Sequence, residues 1–220
     1  MSSLKALQEK LRKYVTEFLG TFFLVLTIGL VTGSGVGAFT NIAIGSVLMV
    51  MIYMGGHISG AHYNPAVTLA VFIRRKIDLK EAGIYWLAQI LAAFAAAPLV
   101  GMLVQDADYT FLIEKAPSAT LEQALAIEVL FTFVWALVVL HVSTAKGTEG
   151  NSFYGLAIGF AVMAGLFAGG PISGGAFNPV TALGPNVVNV EFSHLWIYIL
   201  GPLLGGALAG FMFNFQDKEK

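Results

Sequence analysis

A stretch of small and polar residues that ends in Asn-Pro occurs twice in this chain, and this repeat constrains the fold more than any other feature. The first copy spans residues 57–66 and the second, 114 positions later, spans residues 171–180. Asn is a favoured N-cap and Pro is favoured at the first helical position, so each copy predicts a helix start. The apolar segments that follow, about residues 67–73 and 180–190, are shorter than the roughly 20 residues that cross a bilayer.

Charged residues make up only 11% of the 220-residue chain, and hydrophobic residues make up 57%. Soluble domains contain about 25% charged residues, so this composition predicts an integral membrane protein. The sequence lacks the alternating strands of a membrane barrel, and it has no cysteine for a disulfide or a thiolate site. Six longer apolar segments are candidate membrane spans, at about residues 14–31, 39–54, 82–104, 124–142, 153–168 and 195–215.

The order of these segments repeats along the chain. We divide a single membrane domain, residues 1–220, into a first repeat at 12–110 and a second at 120–216. Each repeat has three spans and one short helix. Because three is odd, the second repeat must enter the membrane upside down relative to the first. A cleaved signal peptide is the alternative for the basic N-terminus, but no small-residue cleavage site follows it and we expect it to be retained.

The Lys and Arg residues agree with this inverted topology. The basic N-terminus, residues 74–76 with Lys80, Lys146, and the C-terminal tail with Lys218 and Lys220 all fall on one side, which we take as cytoplasmic. The acidic link at residues 105–122, with Asp106 and Asp108, falls on the other side. We therefore expect a multi-pass protein of the cell (plasma) membrane with both termini cytoplasmic. An interfacial belt of aromatic residues is assigned to Tyr85, Trp86, Trp196 and Tyr198.

The two Asn-Pro loops are expected to lie at membrane depth, where irregular backbone is tolerated only if it is buried in protein or lines a water-filled cavity. Each helix start presents unpaired backbone N–H groups and the positive end of a helix dipole. The side-chain amides of Asn64 and Asn178 add further donors. This combination attracts an oxygen lone pair and repels a cation, and so indicates a pore for neutral, oxygen-bearing molecules.

These features resemble the aquaporin, or major intrinsic protein, family over nearly the whole chain, from Glu17 to Phe215. The match is specific at residues 57–68 and at the second loop, where Gly184-Pro185 follows the Asn-Pro. The resemblance implies an all-α membrane protein, a right-handed bundle of six transmembrane helices plus two re-entrant half-helices in an inverted repeat. It also implies a homotetramer with one pore per subunit.

The resemblance further implies roles for individual residues. The paired pore motifs are Asn64, Pro65, Ala66, Asn178, Pro179 and Val180. The pore-lining carbonyls are those of Gly60, Ala61, His62, Gly174, Gly175 and Ala176, and the apolar pore walls are Leu24, Leu48 and Val162. Glu17 and Glu128 match buried glutamates that accept hydrogen bonds from the loop backbone. Proton coupling is the alternative for an intramembrane carboxylate.

The selectivity filter departs from the family pattern. Water channels of this family narrow at an aromatic residue, a His, a loop residue and an Arg three positions after the second Asn. Counting without gaps, the corresponding positions here are Ile44, Leu166, Gly175 and Thr181. The arginines of the chain are Arg12, Arg74 and Arg75, so the second half has none. We expect a wider and more apolar filter that lacks a fixed positive charge.

The sequence therefore predicts a channel for passive permeation of water and other small neutral solutes, such as glycerol, urea, ammonia, hydrogen peroxide or metalloid acids. We expect no cofactor, metal site or nucleic-acid partner. Its partners would be the solutes, the lipid bilayer and other copies of the chain. An inverted-repeat secondary transporter is the alternative. A membrane enzyme would need a nucleophile, a metal cluster or an acid/base pair, and none occurs at plausible spacing. Ala182, where glycerol channels usually have Asp, favours the water-type branch, whereas the filter favours larger solutes.

Overall fold

The computed structural model describes residues 3–104 and 109–217. Within these ranges the chain forms eight α-helices and two short 3-10 turns, and it contains no strand. Six of the helices are long and apolar enough to cross a membrane. The predicted all-α architecture of six spans and two short helices is therefore confirmed. The helices are α1 (Ser3–Gly33), α2 (Thr40–Ser59), α3 (Pro65–Ile73), α4 (Leu79–Leu103), α5 (Leu121–Thr144), α6 (Tyr154–Ser173), α7 (Pro179–Val188) and α8 (Leu195–Gln216).

Several helices are longer than their apolar segments predict. Helices α2 and α6 end at Ser59 and Ser173, five residues beyond the predicted ends at 54 and 168. Each stops at a glycine in the left-handed region, Gly60 at φ 88° and Gly174 at φ 91°, which is a common way for a helix to end. The irregular part of each Asn-Pro loop therefore begins at these glycines and not at His57 or Pro171.

The two links that leave α1 and α4 differ from the sequence expectation. Helix α1 begins at Ser3 because the basic N-terminal segment continues into the first span without a break. In the acidic link, Asp106 and Asp108 lie outside the described residues. The rest of the link returns along the end of α6, where the Ala116 N–H donates to the Ile172 carbonyl at 3.0 Å.

The two half-helices, α3 and α7, have 9 and 10 residues and begin in the same way. Asn64 and Asn178 are N-caps with extended backbone, and a proline follows at the first helical position. The Asn64 side chain accepts from the Ala66 N–H at 2.8 Å, and the Asn178 side chain accepts from the Val180 N–H at 3.2 Å. The Asn-Pro pairs therefore start helices, as the sequence predicts.

Each half-helix packs against the last span of the opposite repeat, α3 against α8 and α7 against α4. Glycines make this packing close. Gly206 on α8 lies so near Ala66 that an added Cβ would overlap the Ala66 carbonyl. An ideal Cβ on Gly184 of α7 would lie 2.8 Å from the carbonyl oxygen of Ala93 on α4. Small residues let helix backbones approach in this way, and the two repeats interlock as a result.

The outward-facing surface of the bundle is apolar. Large side chains such as Leu130, Phe160 and Leu208 are at least half exposed on three different helices. A soluble monomer rarely exposes apolar area on this scale. Together with the six long apolar helices, this surface is that of a multi-pass membrane protein.

Candidate pore

A fully buried carboxylate holds the first loop in position. Glu17 on α1 accepts hydrogen bonds from the backbone N–H groups of His62, at 2.9 Å, and Tyr63, at 2.8 Å. The Ser59 hydroxyl donates to it at 2.7 Å, and the side-chain amide of Gln89 on α4 donates at 3.0 Å. Hydrogen bonds to a carboxylate are stronger than those between neutral groups, so Glu17 fixes the backbone of this loop.

The second repeat builds the same arrangement around Glu128 on α5. Its carboxylate accepts from the Ser173 hydroxyl at 2.8 Å and from the backbone N–H groups of Ala176, at 3.0 Å, and Phe177, at 2.7 Å. Each carboxylate therefore accepts from three equivalent donors, a serine hydroxyl and two loop N–H groups. Glu17 has one contact more, from the amide of Gln89.

Two tyrosines support these loops, and their positions correct a sequence expectation. The Tyr85 hydroxyl donates to the carbonyl of Ser59 at 2.7 Å, and the Tyr198 hydroxyl donates to the carbonyl of Ser173 at 2.6 Å. Both side chains are buried, so assigning Tyr85 and Tyr198 to an interfacial aromatic belt was wrong. Hydropathy cannot distinguish an aromatic residue at the lipid interface from one whose hydroxyl holds a loop inside the bundle.

The two Asn-Pro loops are joined to each other by a reciprocal pair of hydrogen bonds. The Nδ2 of Asn64 donates to the carbonyl of Phe177 at 2.9 Å, and the Nδ2 of Asn178 donates to the carbonyl of Tyr63 at 2.9 Å. Both asparagines are fully buried. Tyr63 and Phe177 have positive φ values of 50° and 47°, which turn their carbonyls toward the opposite half. The half-helix starts therefore meet across the centre of the molecule.

One cavity, which we call the basic vestibule, lies at the end of the bundle where the basic segments meet. Its volume is about 730 Å³, and Lys13, Lys76 and Lys146 line it together with Glu81 and Tyr85. The ion pair between Lys13 and Glu81, at 2.8 Å, joins α1 to α4 at this end. The basic segments that the sequence assigns to one side of the membrane thus lie together at one end of the bundle.

A second cavity, which we call the apolar vestibule, lies at the other end of the bundle. Its volume is about 250 Å³, and its described lining contains no charged side chain. All four predicted filter positions line it: Ile44, Leu166, Gly175 and Thr181. Of the predicted pore walls, Leu24 and Val162 line it, whereas Leu48 is 1% exposed and lines neither vestibule.

The predicted pore carbonyls divide between the two cavities. Gly60 and His62 line the basic vestibule. The stretch Gly174, Gly175 and Ala176 lines the apolar vestibule. Ala61 lines neither cavity, and its N–H donates to the Ser59 hydroxyl oxygen at 3.0 Å. Since each of these stretches leads directly into an Asn-Pro, the bonded asparagine pair lies between the two cavities.

Thr181 stands at the predicted filter position, where the sequence pattern of the family has Arg. Its hydroxyl lies 2.8 Å from the carbonyl oxygen of Asn178 and 3.2 Å from that of Ala176. A hydroxyl has a single hydrogen, and here it is bonded to the backbone of the same half-helix. The Thr181 side chain is therefore not a free donor toward the cavity.

The sequence analysis missed Trp135, which lines the apolar vestibule from α5. The repeat contains the signal that locates it. Leu24 lies seven residues after Glu17, and Trp135 lies seven residues after Glu128. Trp135 is therefore the equivalent of Leu24 in the second repeat, and both residues line the apolar vestibule.

Six membrane-spanning helices around two joined half-helix starts, with a cavity on either side, define a channel-type membrane protein. The sequence model of the major intrinsic protein family matches residues 3–213, and the chain belongs to this family. Members of the family are membrane channels for small solutes, so this protein is such a channel and not an enzyme.

The chain is similar to several plant proteins. It is 35% identical to putative aquaporin NIP4-1 of Arabidopsis thaliana over 94% of this chain and 76% of that protein. It is 35% identical to nodulin-26 of Glycine max over 93% and 77%, and 37% identical to aquaporin NIP2-1 of Oryza sativa subsp. japonica over 96% and 73%. Among solved structures, the aquaglyceroporin from Plasmodium falciparum has the same fold, with a TM-score of 0.81, 23% identity and 96% of each chain covered.

Proposed function

We propose that this protein is a passive, bidirectional pore for water and for other small neutral solutes, with an unusually wide and apolar filter. The observation behind this proposal is the apolar vestibule, in which Ile44, Leu166, Gly175 and Thr181 come together without a charged side chain in the described lining. A constriction without charged side chains places no fixed charge beside a passing molecule. Because its side chains are smaller than an arginine, it leaves room for solutes larger than water.

Exclusion of cations and protons rests on the two half-helix starts. Helices α3 and α7 direct their positive ends at the centre, and the asparagine amides add donors there. Each amide nitrogen has two hydrogens, and one of them donates to the opposite loop. The second hydrogen remains for the oxygen of a permeating molecule. A water held by donors on both sides directs its own hydrogens outward, which interrupts a proton-conducting chain.

No arginine side chain of the described residues is available to narrow the proposed filter. Arg12, Arg74 and Arg75 are the arginines of the chain, and Arg74 is paired with Asp217 at 2.6 Å. Arg12 and Arg75 lie in or beside the segments at the basic end. Thr181 therefore has no guanidinium near it to take the filter role, and its own hydroxyl hydrogen is bonded to backbone.

The candidate solutes are glycerol, urea, ammonia, hydrogen peroxide and neutral metalloid acids. All are small and uncharged and have a lone pair that the central donors can bind. The similar plant proteins NIP4-1 and NIP2-1 are named as aquaporins, which supports water as one permeant.

The remaining parts of the proposal concern the membrane and the assembly. We assign the basic end to the cytoplasm, with both termini there, and the membrane to the plasma membrane; the three lysines around the basic vestibule support the orientation. We keep the single domain with repeats at 12–110 and 120–216, and a homotetramer with one pore per subunit. Glu17 and Glu128 act as structural acceptors, in keeping with their bonds to loop N–H groups.

The experiment is stopped-flow light scattering on proteoliposomes, first with an impermeant osmolyte and then with gradients of each candidate solute. We expect fast water flux and influx of at least one solute, both with a low activation energy and no saturation. A secondary transporter would instead saturate and respond to an ion gradient. Water flux with exclusion of every candidate solute would overturn the wide filter while leaving the water pore.

A further inference from the structure

Helix α5 contributes Trp135 to the described lining of the apolar vestibule, a large side chain with a hydrogen-bond donor. The side chain is only 3% exposed, so most of the ring is packed into the bundle. Leu24, Val162 and Leu166 line the same cavity, and none of them can donate a hydrogen bond. Trp135 therefore adds a potential hydrogen-bond donor to a wall that these three apolar side chains share.

The indole nitrogen of Trp135 is buried and has no hydrogen-bond partner among residues 3–104 and 109–217. A buried tryptophan N–H usually finds a partner, because leaving the donor unpaired costs free energy. The chain offers two comparisons. The Trp86 indole donates to the Pro65 carbonyl at 3.1 Å, and Trp196 is 45% exposed on the outer surface. Of the three tryptophans, Trp135 combines burial, an unpaired donor and a place in the cavity wall.

We propose that the Trp135 indole N–H is a binding subsite of the pore, which donates a hydrogen bond to the lone pair of a permeating water or neutral solute. This inference rests on the proposed function. The hydroxyl hydrogen of Thr181 is bonded to backbone, so it does not supply such a donor from the filter. The indole N–H replaces part of the hydration that a molecule loses between Leu24 and Leu166. It favours solutes with an acceptor, such as a hydroxyl, a carbonyl or a peroxide oxygen.

The test removes the donor without changing the shape of the side chain. Benzothienylalanine, introduced at position 135 by stop-codon suppression, has a sulfur in place of the indole N–H. Loss of one hydrogen bond should lower the permeability of the proteoliposomes to urea or glycerol, and to water, by about five-fold. The same replacement at Trp196, on the outer surface, should leave both unchanged. Unchanged permeability in the position-135 variant would overturn the inference.

A second measurement needs neither conduction nor a variant that folds well. In the wild-type protein with 15N-labelled tryptophan, the indole N–H of Trp135 should exchange with D2O, because the lumen water that it binds brings it into contact with solvent. The Trp86 indole, bonded to Pro65, should exchange more slowly. Slow exchange of Trp135 would overturn the subsite. Fast exchange in a protein that passes no water would contradict the proposed function instead, so the two failures are distinguishable.

Discussion

The side-chain amide of Asn64 donates to the backbone carbonyl of Phe177 at 2.9 Å, and so ties the first half-helix to the loop of the opposite repeat. The bond from Asn178 to Tyr63 returns this contact at the same distance. Each asparagine therefore caps its own helix and joins the two repeats, and its second amide hydrogen is the one that we propose binds a permeating molecule. The same two residues thus lie at the interface of the repeats and at the centre of the proposed pore.

Replacing Asn178 by alanine should remove both the cap of α7 and the bond to Tyr63. Loss of a cap costs about 1 kcal/mol, and the lost cross-repeat bond adds a similar amount to the destabilisation. We expect a lower midpoint of thermal unfolding and a several-fold lower water permeability per protein.

Asn189 supplies the matched control at the other end of α7. Its amide donates to the carbonyls of Phe111, at 2.9 Å, and Pro185, at 2.8 Å, so Asn189→Ala also loses hydrogen bonds. It should lower stability by about 1 kcal/mol and leave permeability nearly unchanged. Equal loss of permeability in the two variants would contradict a special role for Asn178.

Thr181→Arg should narrow the filter. A guanidinium adds a charge and five donors to the apolar vestibule, so influx of glycerol or urea should fall more than water flux. Thr181→Val serves as the comparison, because it keeps the shape and removes a hydroxyl whose hydrogen is already bonded to backbone. Its solute spectrum should resemble that of the wild type. If Thr181→Arg passes the same solutes at the same rates, the filter does not lie at this position.

Glu128→Gln should destabilise the second loop, because one of the two acceptor oxygens becomes an NH₂ group that cannot accept. Oε1 accepts from Ser173 and Ala176, and Oε2 accepts from Phe177. Loss of such a buried acceptor costs about 1–3 kcal/mol. Glu122→Gln, on the exposed first turn of the same helix, should change unfolding by less than about 0.5 kcal/mol. The measurement is thermal unfolding of the purified protein in detergent.

The rival role for Glu128 is proton coupling, and solute flux in the wild-type protein distinguishes it. A structural acceptor predicts that solute uptake by proteoliposomes does not change when a pH gradient is imposed. Uptake against a solute gradient, driven by protons, would assign the carboxylate to transport.

Gly206→Ala should separate α8 from α3, because the added methyl would overlap the carbonyl of Ala66. Overpacking of this kind costs about 1–3 kcal/mol, and a shift of α3 should also lower water flux. Gly101→Ala is the control, since an added Cβ on Gly101 of α4 meets no atom within 4 Å. That variant should unfold at or above the wild-type midpoint. A Gly206→Ala protein as stable as wild type would show that the packing of α8 on α3 accommodates an added methyl group, contrary to this prediction.

Most of the architecture could be predicted from the sequence because membrane insertion imposes simple rules. Span length, apolar composition and the Asn-Pro helix starts identified six spans and two short helices. The ends of α2 and α6 could not be located, since His57 and Ser59 interrupt the apolar pattern without interrupting the backbone hydrogen bonds. A helix ends where a residue such as Gly60 adopts positive φ, and hydropathy does not report that.

The site was partly predictable for a different reason. The filter positions follow from counting along a repeated pattern, and all four line the apolar vestibule. The cross-repeat bonds, by contrast, depend on the backbone conformation of Tyr63 and Phe177, which residue types alone do not reveal. Trp135 was missed because an aromatic residue within a span has no periodic signal of its own; only its equivalence to Leu24 identifies it.

We propose a passive pore whose filter is wider than that of a channel for water alone. The most direct measurement is stopped-flow swelling of proteoliposomes in matched gradients of urea, glycerol and an impermeant sugar, at several temperatures. The proposed function predicts rapid water flux, reswelling with urea or glycerol, and a low activation energy for both. Water flux without any reswelling would contradict the wide filter, and saturable, ion-driven uptake would contradict the pore.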